Sequence, residues 1–226
     1  MHPSLGRGPD AYFGIKAVGI FQSDAEVKAW ATQNPKTAAG DLKYQDTNGD
    51  GKIDANDRVL IGSNIPHYTY GVPMSASYRN FDFSMLWQGV GHRDAFLDGA
   101  LIEGPTWENF FPTYLLDSWT PENPNAKWPR FAFRSDHNQN APGSNSWYIR
   151  DAKYLSLKTL NLGYTLPTKL TGHAGISSAR VYVSGNNVYT WTGLRGLVPP
   201  EFNPNSDRAT YYYQTRNWNI GTNLGF

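Results

Sequence analysis

The sequence has no cysteine, no clear excess of charge of either sign and no long hydrophobic run. Because none of its 226 residues is cysteine, the chain can form neither a disulfide framework nor a thiolate metal site. A net charge of +1 provides no basic face of the kind that nucleic acid usually requires, so no nucleic-acid partner is expected. With a mean hydropathy of −0.55 and no run of about eighteen apolar residues, no segment predicts a transmembrane helix.

The common catalytic motifs are missing as well. The sequence contains no GxSxG, HExxH or phosphate-binding loop. The five histidines show no metal-ligand spacing, and we interpret them as surface or loop residues; they are His2, His67, His92, His137 and His173. We therefore expect that the chain is not an enzyme.

The segment from Tyr68 to Val90 predicts two long, paired β-strands. Aromatic and apolar residues alternate with small or polar ones up to Tyr78, and the alternation resumes at Phe81. Asn80, in the turn, tolerates the left-handed conformation of a tight hairpin. Soluble strands average about five or six residues, whereas a tilted membrane strand needs roughly nine to eleven. The segment is therefore typical of a membrane β-barrel, although Pro73 lacks a ladder donor and belongs at an edge or bulge.

The rest of the chain predicts further strands, long loops and short helices. Expected strands are 12–21, 40–44, 58–61, 154–166, 180–191 and a last alternating strand ending at 226. A phase slip near Lys158 predicts a β-bulge. Short helices are expected from Ser23, as N-cap, to about Thr32, within 106–117, and at 168–170, and long loops at 91–147 and 193–210.

A loop of twelve residues, Asp46 to Asp57, matches the spacing of an EF-hand-type calcium site. The predicted ligands are Asp46, Asn48, Asp50, the Lys52 carbonyl, Asp54 and Asp57. Gly51 stands at the sharp turn, but the last position is Asp rather than Glu and no flanking helices are expected. Bound Ca²⁺ is one interpretation; the alternative is an Asx-rich surface turn that needs no metal.

Several aromatic residues fall in predicted loops, namely Trp107, Trp119, Trp128 and 211–213. They are interpreted as loop packing or interfacial residues, with stacking on sugar rings as the alternative. The last strand alternates up to Phe226 and resembles the signal read by the bacterial outer-membrane barrel assembly machinery. A barrel protein must be exported, yet no secretory signal is visible in this sequence. The chain is therefore expected to be a fragment.

Six segments, which occur in the family's order and cover nearly the whole chain, resemble the SusC/RagA family of TonB-dependent outer-membrane transporters from Bacteroidetes. They are 12–22, 40–58, 81–89, 119–130, 154–164 and 180–192. The resemblance implies an all-β fold in which residues 1–226 form the C-terminal antiparallel strands of a 22-stranded transmembrane barrel, without the plug domain. It also implies outer-membrane import of glycans or peptides, with a SusD-like lipoprotein and the TonB complex as partners.

Strand parity gives this barrel an orientation. If the last strand runs inward, the Arg79-Asn80 turn lies in the periplasm, and the acidic loop and both long loops lie outside. Two alternatives stay open: a secreted, calcium-stabilised β-sandwich that binds carbohydrate, and a purely structural surface barrel.

Overall fold

The computed structural model describes residues 11–97, 113–131, 145–172, 175–194, 197, 199–201 and 214–226. In chain order, the elements are β1 (Ala11–Ile15), β2 (Ala17–Ile20), α1 (Asp24–Ala29), β3 (Leu42–Tyr44), β4 (Arg58–Ser63), β5 (Tyr68–Tyr78), β6 (Phe81–Gly91), β7 (Asp94–Phe96), β8 (Ile149–Asp151), β9 (Tyr154–Thr165), α2 (Thr168–Thr171), β10 (Ser178–Thr192) and β11 (Asn217–Gly225). Short 3-10 turns lie at Ala55–Asp57, Thr113–Leu116 and Ser146–Tyr148. The predicted all-β class is confirmed, and none of the helices in these ranges is long and apolar enough to cross a membrane.

The chain divides into two compact units. The first, here called the loop unit, comprises Met1–Ile65, Asp94–Asp151 and Glu201–Tyr211. The second, here called the sheet unit, comprises Pro66–Arg93, Ala152–Pro200 and Tyr212–Phe226.

The loop unit is built from three small antiparallel strand pairs, β1 with β4, β2 with β3, and β7 with β8. The single strand predicted over 12–21 is wrong at Lys16, where the chain breaks into β1 and β2 with different partners. Phe21, Leu42 and Tyr44 are fully buried and form the core near this break.

An ion pair with a buried carboxylate joins two segments of the loop unit that are distant in sequence. Arg130 donates from Nε to Oδ1 of Asp41 at 2.6 Å, and the Asp41 side chain is fully buried. Gly40 precedes it with a φ of 87°, and a Cβ there would collide with the Trp119 ring and with Cβ of Arg130. Only glycine therefore fits at this position without displacing its neighbours.

Helix α1 begins as predicted but ends early. The Ser23 hydroxyl accepts a hydrogen bond from the Glu26 N–H at 3.2 Å, and Oε2 of Glu26 accepts one from the Gln22 N–H at 2.8 Å. The last helical residue is Ala29 rather than Thr32. Thr32 instead forms a parallel bridge with Lys52, so pairing with the acidic loop replaces the final helical turn.

The sheet unit is one antiparallel sheet with the strand order β11-β10-β9-β6-β5. The predicted hairpin is confirmed, with Tyr78 opposite Phe81. Its left-handed residue is Arg79, at a φ of 53°, and not Asn80 as predicted. The Asn80 side chain instead donates to the Thr165 carbonyl at 2.7 Å, which ties the turn to β9.

Pro73 fits its position because of the hairpin's register. In a two-residue hairpin the pair that flanks the turn is hydrogen-bonded, and hydrogen-bonded and non-hydrogen-bonded pairs then alternate outward. Counting from Tyr78 and Phe81 places Pro73 and Leu86 in a non-hydrogen-bonded pair. The nitrogen of Pro73 therefore points to the outer edge of β5, the edge strand of this sheet, and no ladder bond with β6 is lost.

The predicted bulge in β9 is confirmed. Leu86 pairs with Thr159 and Trp87 with Leu157, so Lys158 is the extra residue opposite β6. A second irregularity, which the sequence did not predict, lies in β10 between Asn186 and Tyr189. The bulge at Lys158 shifts the alternation of β9 by one residue, so that Leu155 and Leu162 share one face of the sheet.

Candidate functional site

One face of the five-stranded sheet is apolar along every strand. Directly paired residues lie on the same face of a sheet, so the register defines its members. They include Tyr70, Val72, Met74 and Tyr78 of β5, Phe81, Phe83, Met85 and Trp87 of β6, Leu155, Leu157, Leu160, Leu162 and Tyr164 of β9, Val181, Val183, Tyr189 and Trp191 of β10, and Trp218, Ile220 and Leu224 of β11. Met74 is 48% exposed and Ile220 80%, so this face, here called the apolar face, is uncovered.

Aromatic rings concentrate at the two ends of the apolar face. At the turn end, the rings of Phe81 and Tyr164 lie 4.7 Å apart. At the opposite end, Trp191 lies 5.6 Å from Trp87 and 4.4 Å from Tyr189. From the first to the last of its 11 residues, β5 extends about 34 Å at a rise of 3.4 Å per residue. A 45° tilt would reduce this to about 24 Å. That height matches the apolar band of a membrane barrel.

The opposite face, here called the polar face, carries cross-strand hydrogen bonds. Arg180 on β10 donates from Nε to Oδ1 of Asp82 on β6 at 2.8 Å, across the intervening β9. Asn161 donates to the Ser84 hydroxyl at 3.1 Å. Because these side chains bond to one another between strands, the polar face is an ordered polar surface.

Glycine makes room for the ion pair on the polar face. A Cβ at Gly163 would collide with the Arg180 guanidinium and the Asp82 carboxylate, which meet directly above it. The guanidinium carbon also lies 5.1 Å from the Tyr182 ring centroid. At the next strand Gly221 lies beneath the Tyr182 ring and leaves space for it in the same way.

The acidic loop is held by hydrogen bonds from its own backbone. Asp46 accepts from the N–H groups of Gly49 at 2.7 Å and Gly51 at 2.8 Å. Both glycines have positive φ, 77° and 80°, and the sharp turn predicted at Gly51 is present. Asn48, Asp50 and Asp54 each accept from the N–H group two residues ahead. This is the geometry of successive Asx turns.

Asp57 closes the acidic loop from within. It is fully buried, and its carboxylate accepts from the backbone N–H groups of Thr47 at 2.7 Å, Asn48 at 3.4 Å and Asp54 at 2.9 Å. Burial, the largest single influence, raises the pKa of the Asp57 carboxyl, but the three N–H donors together outweigh it and hold the pKa below its usual range. Asp57 therefore stabilises the closed loop as a carboxylate.

The side-chain oxygens of the predicted calcium ligands therefore already accept hydrogen bonds, at least in part, from backbone N–H groups of the same loop. Within the residues described, no three or more His, Cys, Asp or Glu side chains are grouped to hold a metal ion. The bridge between Thr32 and Lys52 uses the Gly51 carbonyl and the Ile53 N–H, and so leaves the Lys52 carbonyl out of that bridge. Calcium binding stays a prediction, and the hydrogen bonds alone account for the loop's conformation.

Two histidines that the sequence did not connect lie side by side. The ring centroids of His67 and His92 are 4.0 Å apart, and both side chains are exposed. A signal was available, because each lies the same number of residues from the Arg79-Asn80 turn. Extending the hairpin register by one pair beyond Tyr68 and Gly91 would have placed them opposite each other.

Two of the predicted loop aromatics pack inside the loop unit. Trp119 and Trp128 are buried, and the Trp119 indole donates to the Gln22 side chain at 3.0 Å. These two are packing residues, as predicted. Trp107 and residues 211–213 lie outside the described residues.

Comparison with known proteins identifies relatives for this arrangement, although no protein-family model matches the chain. TonB-dependent receptor P26 of Formosa agariphila is 32% identical over 200 residues, which cover 87% of this chain and 20% of that protein. TonB-dependent receptor P3 of the same organism is 31% identical over 221 residues, or 97% of this chain and 21% of that protein. The chain therefore spans about a fifth of the length of these curated relatives.

Solved structures give the same fold. The RagAB peptide transporter matches all of this chain and 24% of its own, with a TM-score of 0.70 at 20% identity. The RagAB peptide importer in its open-open state matches with a TM-score of 0.68 over the same shares. The resemblance to the SusC/RagA family is confirmed to this extent: the sequence relatives are TonB-dependent receptors, and the solved structures with the same fold are RagAB transporters.

Proposed function

We propose that this chain is a wall segment of an outer-membrane barrel that imports oligosaccharides or peptides. The single observation that carries the proposal is the two-faced sheet, with an exposed apolar face bounded by aromatic rings and a hydrogen-bonded polar face. In a membrane barrel the first faces lipid and the second faces the lumen. The five strands alone do not close a barrel, so transport belongs to the larger protein.

The hairpin geometry supports the orientation given by strand parity. Short turns of such barrels lie in the periplasm and long loops outside the cell. The two-residue turn at Arg79 and Asn80 fits the periplasmic side. The segment that links β6 to β9, and the acidic loop before β5, are then extracellular.

The importer is proposed to draw energy from the TonB complex and to work with a SusD-like surface lipoprotein. The relatives named above are receptors and transporters, which supports transport rather than catalysis. RagAB is a peptide importer, so peptides are one class of substrate to test, and oligosaccharides are the other.

Uptake by a deletion strain tests the proposal. A strain that lacks the gene for the full-length protein should lose uptake of one labelled class, either oligopeptides or oligosaccharides, and expression of the gene should restore it. An affinity-tagged full-length protein should co-purify in detergent with a surface lipoprotein. Recovery of the full-length protein in the soluble fraction without detergent would refute the membrane assignment.

We also propose, separately, that the acidic loop binds Ca²⁺. The supporting observations are five oxygen-bearing side chains at the motif positions and positive φ at Gly49 and Gly51. Calorimetry should show Ca²⁺ binding to the full-length protein, weakened by Asp46→Ala or Asp50→Ala with normal membrane insertion. No calcium heat from the unsubstituted protein would leave the Asx turn as the correct interpretation.

The β-sandwich alternative is disfavoured by the apolar face. A sandwich buries the apolar face of each sheet against the other. Val183 is 39% exposed in the middle of β10, and Met74 and Ile220 are more exposed still. An uncovered apolar surface of this kind is what a bilayer, rather than water, would accommodate.

A further inference from the structure

We propose that His67 and His92 form a two-imidazole site for a late first-row divalent metal ion, of the class Cu²⁺, Ni²⁺ or Zn²⁺. The site is distinct from the acidic loop, whose oxygen ligands suit Ca²⁺. Neutral imidazole nitrogen is a ligand that these transition metals prefer. The proposal depends on the placement of the two rings, not on the import function.

The backbone brings the two histidines together. Tyr68 and Gly91 form the last register pair of the β5–β6 ladder, and the His67 N–H donates to the His92 carbonyl at 3.2 Å one step beyond it. This hydrogen bond continues the hairpin as far as the two rings. The Tyr68 ring lies over Gly91, where a Cβ would collide with it, so the end of the ladder is closely packed.

His92 has an unusual backbone conformation. Its φ is 53°, in the left-handed region that few non-glycine residues occupy. His92 follows Gly91 directly, and this conformation ends the strand while the hydrogen bond with His67 is kept. The backbones of the two histidines are therefore held at adjacent, hydrogen-bonded strand ends, so that only the two side chains have to be ordered when a metal joins them.

The spacing of the rings fits chelation after a small movement. With metal–nitrogen distances of about 2.0–2.1 Å and near-tetrahedral angles, two imidazole centroids bound to one ion lie roughly 5 Å apart. The observed centroid distance is 4.0 Å, with 40° between the ring planes. Because both side chains are exposed, a change of side-chain rotamer can open the pair by the required amount.

The expected site is weak and exchangeable. Structural zinc sites use four protein ligands and catalytic sites three. In the described part of the chain no third acidic, histidine or cysteine side chain joins this pair, so water would complete the coordination. Among these metals the Irving–Williams order favours Cu²⁺, which makes it the best probe.

Copper binding to the full-length protein tests the site. The protein is purified in detergent with an affinity tag that contains no histidine, stripped with chelator and titrated with one equivalent of Cu²⁺. Electron paramagnetic resonance should show two coordinating nitrogens. His67→Ala and His92→Ala should each remove one nitrogen and weaken copper binding on the order of 100-fold, because the second imidazole acts at high local concentration.

His137→Ala is the matched control, since it removes a histidine that the proposal does not use. It should leave the spectrum and the affinity unchanged. Both substitutions in the pair replace exposed side chains, and normal amounts of heat-modifiable barrel in the membrane would confirm folding. The proposal is overturned if the unsubstituted protein shows no two-nitrogen signal, or if the pair variants bind copper as the control does.

Discussion

A charge placed on the apolar face should damage the protein far more than the same charge placed on the polar face one residue away. Met74 and Ser75 are neighbours in β5 whose side chains alternate between the two faces. We therefore compare Met74→Arg with Ser75→Arg, two substitutions that introduce the same charge on the same strand.

The expected magnitude follows from the depth of Met74. It lies four residues from Tyr78 at the aromatic end of β5, about 14 Å along the strand at 3.4 Å per residue. With a tilt of 45° this is about 10 Å in depth, close to the midplane of a band about 25 Å tall. Arginine facing lipid at that depth costs about 2–4 kcal/mol in barrel stability, whereas a lumen-facing position carries no such cost.

The assay is the urea concentration at which the full-length protein in outer-membrane vesicles loses its heat-modifiable, folded band. Met74→Arg should lower that concentration, or abolish the folded band, while Ser75→Arg stays close to the unsubstituted protein. Equal effects of the two substitutions, or a larger effect of Ser75→Arg, would refute the assignment of the faces.

Two predictions concern the loop unit. Gly40→Ala should destabilise the loop unit by about 1–3 kcal/mol, because the new Cβ meets the Trp119 ring and the backbone has positive φ. Hydrogen exchange of residues 38–45 is the measurement. Gly19→Ala is the control, since a Cβ at Gly19 has open space around it. Asp57 has a depressed pKa. Its contribution to stability is therefore present above the unfolded carboxyl pKa of about 3.9 and lost as the pH falls through the lower folded value. Pepsin cleavage within residues 46–57 should increase over that range in the unsubstituted protein, and Asp57→Asn should be cleaved at higher pH; cleavage independent of both pH and the substitution would contradict this.

Period-two alternation is the reason that the sheet unit was predictable. When the two faces of a strand have different surroundings, the type of each residue indicates the face on which it lies. Tyr68–Tyr78 and the strands after it could therefore be recognised as strands from the sequence. The bulge at Lys158 was visible for the same reason, as a slip in phase. The second irregularity, in β10, was not visible, because the apolar residues on either side of it keep the same alternation; they are Val181, Val183, Tyr189 and Trp191.

The loop unit was less predictable because its structure depends on long-range pairing. The break at Lys16 and the early end of α1 both result from partners elsewhere in the chain, namely β4, β3 and Lys52.

The left-handed residue of the hairpin in the sheet unit was assigned to Asn80 on propensity, but the Asn80 side chain bonds to β9 and Arg79 adopts the positive φ. Local preference was outweighed by tertiary contacts in each case.

The acidic loop shows what sequence spacing establishes and what it does not. The sharp turn at Gly51 was predicted from the motif and is present, whereas the positive φ of Gly49 was not predicted. The three N–H donors around the Asp57 carboxylate were not predicted, because a ligand position and a hydrogen-bond acceptor require the same residue type.

The most direct test of the two-faced sheet is the surroundings of single side chains in the membrane. The chain has no cysteine, so single cysteines can be introduced and spin-labelled once any in the rest of the full-length protein are removed. Val183→Cys and Ile220→Cys test the apolar face, and Ser184→Cys and Asn219→Cys the polar face. The labels at the first pair should collide readily with oxygen and be protected from a water-soluble nickel chelate, while the second pair shows no preference for oxygen. Equal accessibility on both faces, or the reverse pattern, would contradict the barrel-wall assignment.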